Sequence, residues 1–428
     1  MVGATVLSFN GAVAASIFAL PAALAADFGT FSPFMFPIVA CAALLIIIPF
    51  TWSAAAFPES GGPAVYGAVF GRFVGFELGW VYYIARTAAF AANANVLTAY
   101  AARWIAGADQ GALRAAILIG VTALFAAVNI SGVRKSIGLL SGLTLLKALP
   151  LFAAAIAALA LSFPWPTPEP VPTLTEFEVG LLIILYAFVG FEQAVVPAGE
   201  TRSPARVLPR AIFITIAVTT LLYFLVQLAF VSALPGGAAD EKAPLIDLGA
   251  WLAGPTGAAV LTLTAMASLA GSLHGIMTST PRVSYALAVR RDLPAWFGKV
   301  HARFETPANS ILFFAILAAA LAISGSFVWL ALVSTLARMI VYAVTIAALP
   351  RAPGERRLTA GHWLLGAAGI AVCVWAASQA DMKAWTTLAA LSAVGLVLYA
   401  VAARTGAASR DADSVSAIQP PPSSREPS

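Results

Sequence analysis

Charged residues are scarce in this chain: Asp, Glu, Lys and Arg make up 10% of its 428 residues, against roughly 25% in a soluble domain. That shortage excludes a water-soluble globular protein, and a hydrophobic content of 61% places the chain in a bilayer. Cysteine is almost missing. Cys41 and Cys373 both lie inside apolar runs, which excludes a disulfide framework or a cysteine metal site and reads them as small core hydrophobes. With three histidines, and no nucleophile elbow or phosphate loop in a credible context, the chain offers no metal site, no cofactor site and no basis for an enzyme. The net charge of +5 is not gathered into one basic patch, so nucleic acid is not an expected partner.

Apolar runs are what the chain has in abundance. Each run of about 20 residues is long enough to cross a hydrocarbon core. Twelve are expected, near 4–26, 34–57, 74–103, 112–131, 137–163, 178–198, 209–234, 255–281, 308–325, 327–349, 361–380 and 384–403. Residues 404–428 read as a disordered cytoplasmic tail by composition. If the N-terminus is cytoplasmic, seventeen Lys and Arg residues fall in cytoplasmic connections and four, Arg103, Arg114, Lys242 and Lys383, on the opposite side. That bias puts both termini in the cytoplasm. Arg86, Lys147 and Arg338 fall within spans. The first run ends in Ala23-Leu24-Ala25, which resembles a signal-peptide cleavage site, but no basic residue precedes it and Asn10 and Ser16 interrupt it. It reads as a mature first membrane helix, and the lack of a charged segment before it suggests that the natural chain starts earlier.

Two runs carry residues that lipid disfavours. From Gly180 to Arg210 the sequence is GLLIILYAFVGFEQAVVPAGETRSPARVLPR, with Gly190 and ionisable Glu192 mid-run, Pro197 shortly after, and then a short basic loop. An unpaired backbone group or lone carboxylate in hydrocarbon costs several kcal/mol, so such a pattern marks a helix broken where it faces protein or a water-filled cavity. The first run matches it, with small residues mid-span and Pro21 a few positions later, which removes the hydrogen bond to the Ile17 carbonyl. Matched interruptions in two halves of a chain point to a substrate site in a transporter. Five spans begin at each interruption. The order therefore reads as a five-helix repeat over 1–163, a second over 164–350 and two extra helices over 351–403.

These residues resemble the amino acid–polyamine–organocation family of permeases, all-α integral membrane proteins with the LeuT-type 5+5 inverted repeat and broken helices 1 and 6. AASIFALP stands where the family has G-S-G-I-F-x-L-P, and PESGGPAVYGAVFGRFVGFELGW looks like its P-x-x-G-G-x-Y-x-Y connection. NISGVRKS with LLKALPL is similar to the family's join between helices 4 and 5, and STPRVSYALAVRRDLPAWFGKVHARFETPANS to its loop between helices 8 and 9. AFVGFEQAVVPAGETRSPARVLPRAI is the most specific match. One departure is Ala14-Ala15-Ser16 in place of Gly-Ser-Gly, which adds side chains where backbone must approach ligand and suggests a small substrate.

A zwitterion needs opposite partners at its two ends, and broken helices supply them as freed N–H and carbonyl groups. The resemblance implies that amides near Ala15 and Ser16, with Ile17 beside them, take a carboxylate, while carbonyls near Ala12, Tyr186 and Val189, around Gly190, take an ammonium. Phe90 and Asn93, with Tyr83 and Asn95, are candidates to line the side-chain pocket, although aromatic residues at helical spacing also suit packing. Lys147 lies about ten residues into its run, too deep for easy snorkelling. It matches the lysine that the family places where sodium-coupled relatives hold sodium, so it reads as the coupling residue or as a cation paired with a backbone carbonyl. Glu192 is a proton-responsive gate or the partner of a buried cation such as Arg86. The expectation is a multi-pass secondary transporter of the cell (inner) membrane, monomer or homodimer, taking up small neutral amino acids with protons. An amino acid exchanger is the alternative, and a non-transporting sensor a weaker one.

Overall fold

The computed structural model describes residues 2–57, 62–132, 137–194, 204–237, 241–353 and 357–416. The described residues are helical and carry no strand, as lipid demands of a chain that must satisfy its own backbone. In order, the helices are α1 (Val2–Ala12), α2 (Ala15–Phe28), α3 (Ser32–Ala56), α4 (Pro63–Gly67), α5 (Arg72–Ala101), α6 (Gly111–Ile130) and α7 (Ile137–Leu161). They continue as α8 (Leu174–Leu185), α9 (Pro204–Ala233), α10 (Leu245–Val289), α11 (Ala308–Ser324), α12 (Phe327–Ala347), α13 (Ala360–Ser378) and α14 (Met382–Ser416). Among the described residues, seven helical stretches are long and apolar enough to cross a membrane, α2 and α3 together forming one of them.

α5 is the hub. It is buried from Leu78 to Ala101 and packs against α10, α11 and α12. Its aromatic side chains set the register: Trp80 stacks on Tyr83 at 5.1 Å, Tyr83 meets Phe314 of α11 edge-on at 5.8 Å, and the Trp80 indole donates to the Leu391 carbonyl of α14 at 3.0 Å. By contrast α6, α13 and α14 show most of their apolar surface, with Leu124, Leu364 and Val397 each more than half exposed. Outward apolar faces on peripheral helices suit contact with lipid tails.

Both expected interruptions are present. α1 and α2 are separated by Val13 and Ala14, and the Ala14 backbone (φ −128°, ψ −130°) is non-helical. α8 stops at Leu185, Gly190 takes φ +104°, and a single 3₁₀ turn spans Phe191–Ala194. Pro197, Glu200, Arg202, Arg134 and Lys135 lie outside the described residues.

One reading needs correction. Cys41 is exposed on α3, so it is not a core residue, whereas Cys373 is buried. α14 runs on past Arg404 as far as Ser416, and residues 417–428 of the expected tail lie outside the described residues. The 45-residue α10 is kinked at Ala253 and Gly254, so its second part begins at Pro255, where the span 255–281 is expected, and continues to Val289.

Candidate functional site

The two interruptions cross at their glycines. A Cβ placed on Gly190 would collide with the Gly11 carbonyl group, and one placed on Gly11 would collide with the Gly190 carbonyl oxygen and the Gln193 side chain. Only residues without side chains allow two backbones to approach so closely. Around this crossing lies a cavity of about 20 Å³, lined by Gly11, Ala12, Ala14, Ser16, Arg86, Ala89, Asn93, Tyr186, Val189, Gly190, Gln193, Ser272, Ile276 and Arg338. That is space for about one water.

Of the residues expected to bind substrate, Ala12, Ser16, Asn93, Tyr186, Val189 and Gly190 line this cavity, and Ala15 and Ile17 stand behind it, fully buried. Phe90 does not line this cavity: it is buried edge-on against Phe314, 5.5 Å away. Asn93 and Asn95, two residues apart on α5, diverge. Asn93 accepts the Ala15 N–H at 3.0 Å and donates to the Ala89 carbonyl, while Asn95 donates to Ala322 of α11 and accepts from Arg114.

Two backbone groups of the first interruption are already engaged. The Ala15 amide is held by Asn93, and the Ala12 carbonyl accepts from the Tyr223 hydroxyl at 3.3 Å. Tyr223 has one proton to give, so the Ser16 hydroxyl, 2.5 Å away, must be the donor in their mutual bond. A substrate binding at these atoms exchanges hydrogen bonds with Asn93 and Tyr223 instead of capping free groups. Tyr223 was not read from the sequence, where it is one more aromatic residue in an apolar run.

Lys147 reaches the same C-terminal end of α1. Its Nζ donates to the Val13 carbonyl at 2.7 Å, to the Asn10 carbonyl at 3.3 Å and to the Asn10 side-chain oxygen. All three ammonium protons therefore meet oxygens, one of them, the Val13 carbonyl, belonging to the break between α1 and α2 and the other two to Asn10 in the last turn of α1.

Glu192 is 3% exposed and has three partners: Gly190 N–H at 2.7 Å, Tyr342 Oη at 2.8 Å and Arg338 Nε at 2.9 Å. Its cation is thus Arg338 of α12. Arg86, the suggested partner, turns instead to α10, where it donates to Ser279 Oγ at 2.7 Å and Thr280 Oγ1 at 3.4 Å. Arg338 also donates to Ser334 and to the Ala85 carbonyl, which ties the α8 interruption to α5 and α12. Removing one member of a buried pair leaves an uncompensated charge at a cost of about 3–5 kcal/mol. Glu192→Ala is therefore expected to lower the melting temperature strongly in a detergent thermal-shift assay, and Glu192→Ala with Arg338→Met to recover part of the loss. A single variant as stable as wild type would contradict the pairing.

A wider pocket of about 560 Å³ opens at the far end of α2, lined by Ala19, Ala22, Asn95, Asp109, Arg114, Lys242, Phe327 and neighbours. Lys242 lies 2.7 Å from Asp109 and holds its carboxyl below the usual carboxylate range. The rings of Tyr186, from the small cavity, and Phe327, from this pocket, meet edge-on at 5.9 Å and stand between the two spaces.

A sequence model of the amino acid permease family matches residues 1–403. Among curated proteins, an uncharacterized transporter of Mycobacterium tuberculosis is 29% identical over 415 residues, 94% of this chain and 90% of that protein. A serine/threonine exchanger of Bacillus subtilis is 27% identical over 276 residues, 60% of each chain. A D-serine/D-alanine/glycine transporter of Escherichia coli is 26% identical over 256 residues, 57% of this chain and 54% of that one. With a match that spans nearly its whole length, the chain belongs to the amino acid permease family of the amino acid–polyamine–organocation superfamily, a family of membrane transporters.

Proposed function

We propose that this protein is a secondary transporter that carries a small neutral amino acid into the cytoplasm by alternating access, together with protons. The observation that carries the reading is the crossing of two interrupted helices at Gly11 and Gly190 around a small buried cavity. Interrupted helices at the middle of a bundle supply backbone dipoles to both ends of a zwitterion. A cavity of about 20 Å³ admits no amino acid until its walls move. The Tyr186–Phe327 pair joins the lining of the cavity to that of the wider pocket, which serves in this reading as the route from outside.

In this reading the chain crosses the cell membrane twelve times, with α1/α2 and α8 opening two five-helix inverted repeats over 1–163 and 164–350. Both termini are cytoplasmic, and the unit of function is a monomer, alone or within a homodimer. Lys147 is the coupling residue: it bonds the Val13 carbonyl in the break and the Asn10 carbonyl in the last turn of α1, so gain or loss of its proton bears directly on the shape of the site.

Exchange is the second reading, and the similarity to a protein named as a serine/threonine exchanger favours it. Substrate size is tested by competition in an uptake assay. Glycine, alanine and serine are expected to compete better than tryptophan or arginine, because the cavity is small and Arg86 and Arg338 line it. If arginine proves the best competitor, the neutral-substrate reading fails.

A further inference from the structure

The guanidinium of Arg86 is only partly used. Arg86 is 1% exposed and lines the small cavity; its Nε and Nη2 bond Thr280 and Ser279, while Nη1 is buried with no hydrogen-bond partner. No described carboxylate bonds it, since Glu192 is bound to Arg338, Tyr342 and Gly190. A second lining residue shares this feature. The Ser272 hydroxyl of α10 is buried without a partner. Serine and threonine in a helix ordinarily donate to the carbonyl four residues back, and on this same helix Thr262, Thr264, Thr278 and Ser279 do so. Ser268, one turn earlier, is also unpartnered but does not line the cavity.

Two buried donors, one of them charged, thus belong to the wall of a single cavity of about 20 Å³. Buried polar groups without partners are rare because each forfeits its bonds to water. Such a cost is tolerated where a ligand supplies the missing acceptor, and a site built that way rejects the analogue that lacks it.

We propose that Arg86 and Ser272 form a side-chain subsite that reads an oxygen acceptor close to the substrate's β-carbon, so that the transporter selects serine-like over alanine-like amino acids. The inference rests on the amino acid reading of the site at Gly11 and Gly190. An alanine methyl leaves both donors unmatched, and a cationic side chain is repelled by the guanidinium. A hydroxyl accepts from Arg86, and it gives or takes a proton with Ser272. A carboxylate meets the same two donors, so serine and aspartate share the recognised chemistry and differ in charge.

The test is competition by unlabelled serine, alanine and aspartate against radiolabelled serine bound to the purified full chain. Serine is expected to compete at least about tenfold better than alanine in the wild type, and Ser272→Ala and Arg86→Met to bring that ratio down towards one. Arg86→Lys, which keeps the charge but loses the planar fork, is expected to fall between. Should Arg86→Met fail to fold, Ser272→Ala, which removes a single atom, decides the matter by itself. If alanine competes as well as serine in the wild type, or the ratio persists in Ser272→Ala, the subsite is overturned while the amino acid reading stands. If radiolabelled serine and alanine both fail to bind, the reading beneath it fails. Aspartate competing better than serine supports the subsite and replaces a neutral substrate with an anionic one.

Discussion

Gly190→Leu is expected to abolish substrate binding while leaving expression largely intact. Gly190 holds φ +104°, a conformation that residues with a side chain rarely adopt, and even a Cβ would run into the Gly11 carbonyl group. Backbone strain of this kind costs on the order of 1–3 kcal/mol, and each 1.4 kcal/mol is about tenfold in affinity. Gly190→Ala should therefore weaken binding about tenfold or more. The leucine variant adds the steric clash, which the chain relieves by separating α1 from the 3₁₀ turn at 191–194 and so dismantling the site. Gly11→Ala, pressing on the Gly190 carbonyl from the other side, should behave like Gly190→Ala. Gly120→Ala is the control: a Cβ there meets nothing within 4 Å. Scintillation binding and ligand-induced thermal shift check the series, and normal affinity in Gly190→Leu would contradict the crossing as the site.

The second large effect is expected at Lys147. A charged ammonium in the middle of a bilayer protein is costly unless oxygens surround it, and here three do, from Asn10 and Val13. Under the proposed alternating access, opening of the α1 break would move those oxygens away from Lys147 and so link its proton to the state of the site, which is what coupling requires. Lys147→Ala should abolish accumulation driven by a pH gradient. Lys147→Arg, fixed in the charged state and too large for the same oxygens, should also fail. Exchange of internal for external amino acid should survive in at least one of the two variants, since exchange needs no net proton movement. Gradient-driven accumulation at the wild-type level in either variant would reduce Lys147 to a structural cation.

Much of this arrangement was legible in the residues. Gly190 and Glu192 stood out because lipid penalises them where they sit, and Lys147 stood out by its depth in an apolar run. What could not be read is pairing across long separations. Glu192 and Arg338 are 146 residues apart, and nothing in the order of residues ranks Arg338 above Arg86 as the partner. Gly11 carries no signal of its own in the sequence, and the close approach to Gly190 falls there, three residues before Ala14-Ala15-Ser16, so the added methyls do not fall at the crossing. Asn93 and Asn95 looked alike, yet at about 100° per residue they point roughly 200° apart. Phe90 and Tyr83 carried too little signal to separate lining from packing, and the structure puts both in contact with Phe314. The exposure of Cys41 follows from which face of α3 meets lipid, which an all-round apolar helix does not reveal.

The most direct test of the account is uptake of radiolabelled serine into empty proteoliposomes containing the purified protein, with and without an inward proton gradient. Proton-coupled transport predicts accumulation above the external concentration when the gradient is imposed, and collapse of that accumulation when a protonophore is added. Uptake that ignores the gradient and appears only in vesicles preloaded with amino acid would contradict it and make the protein an exchanger.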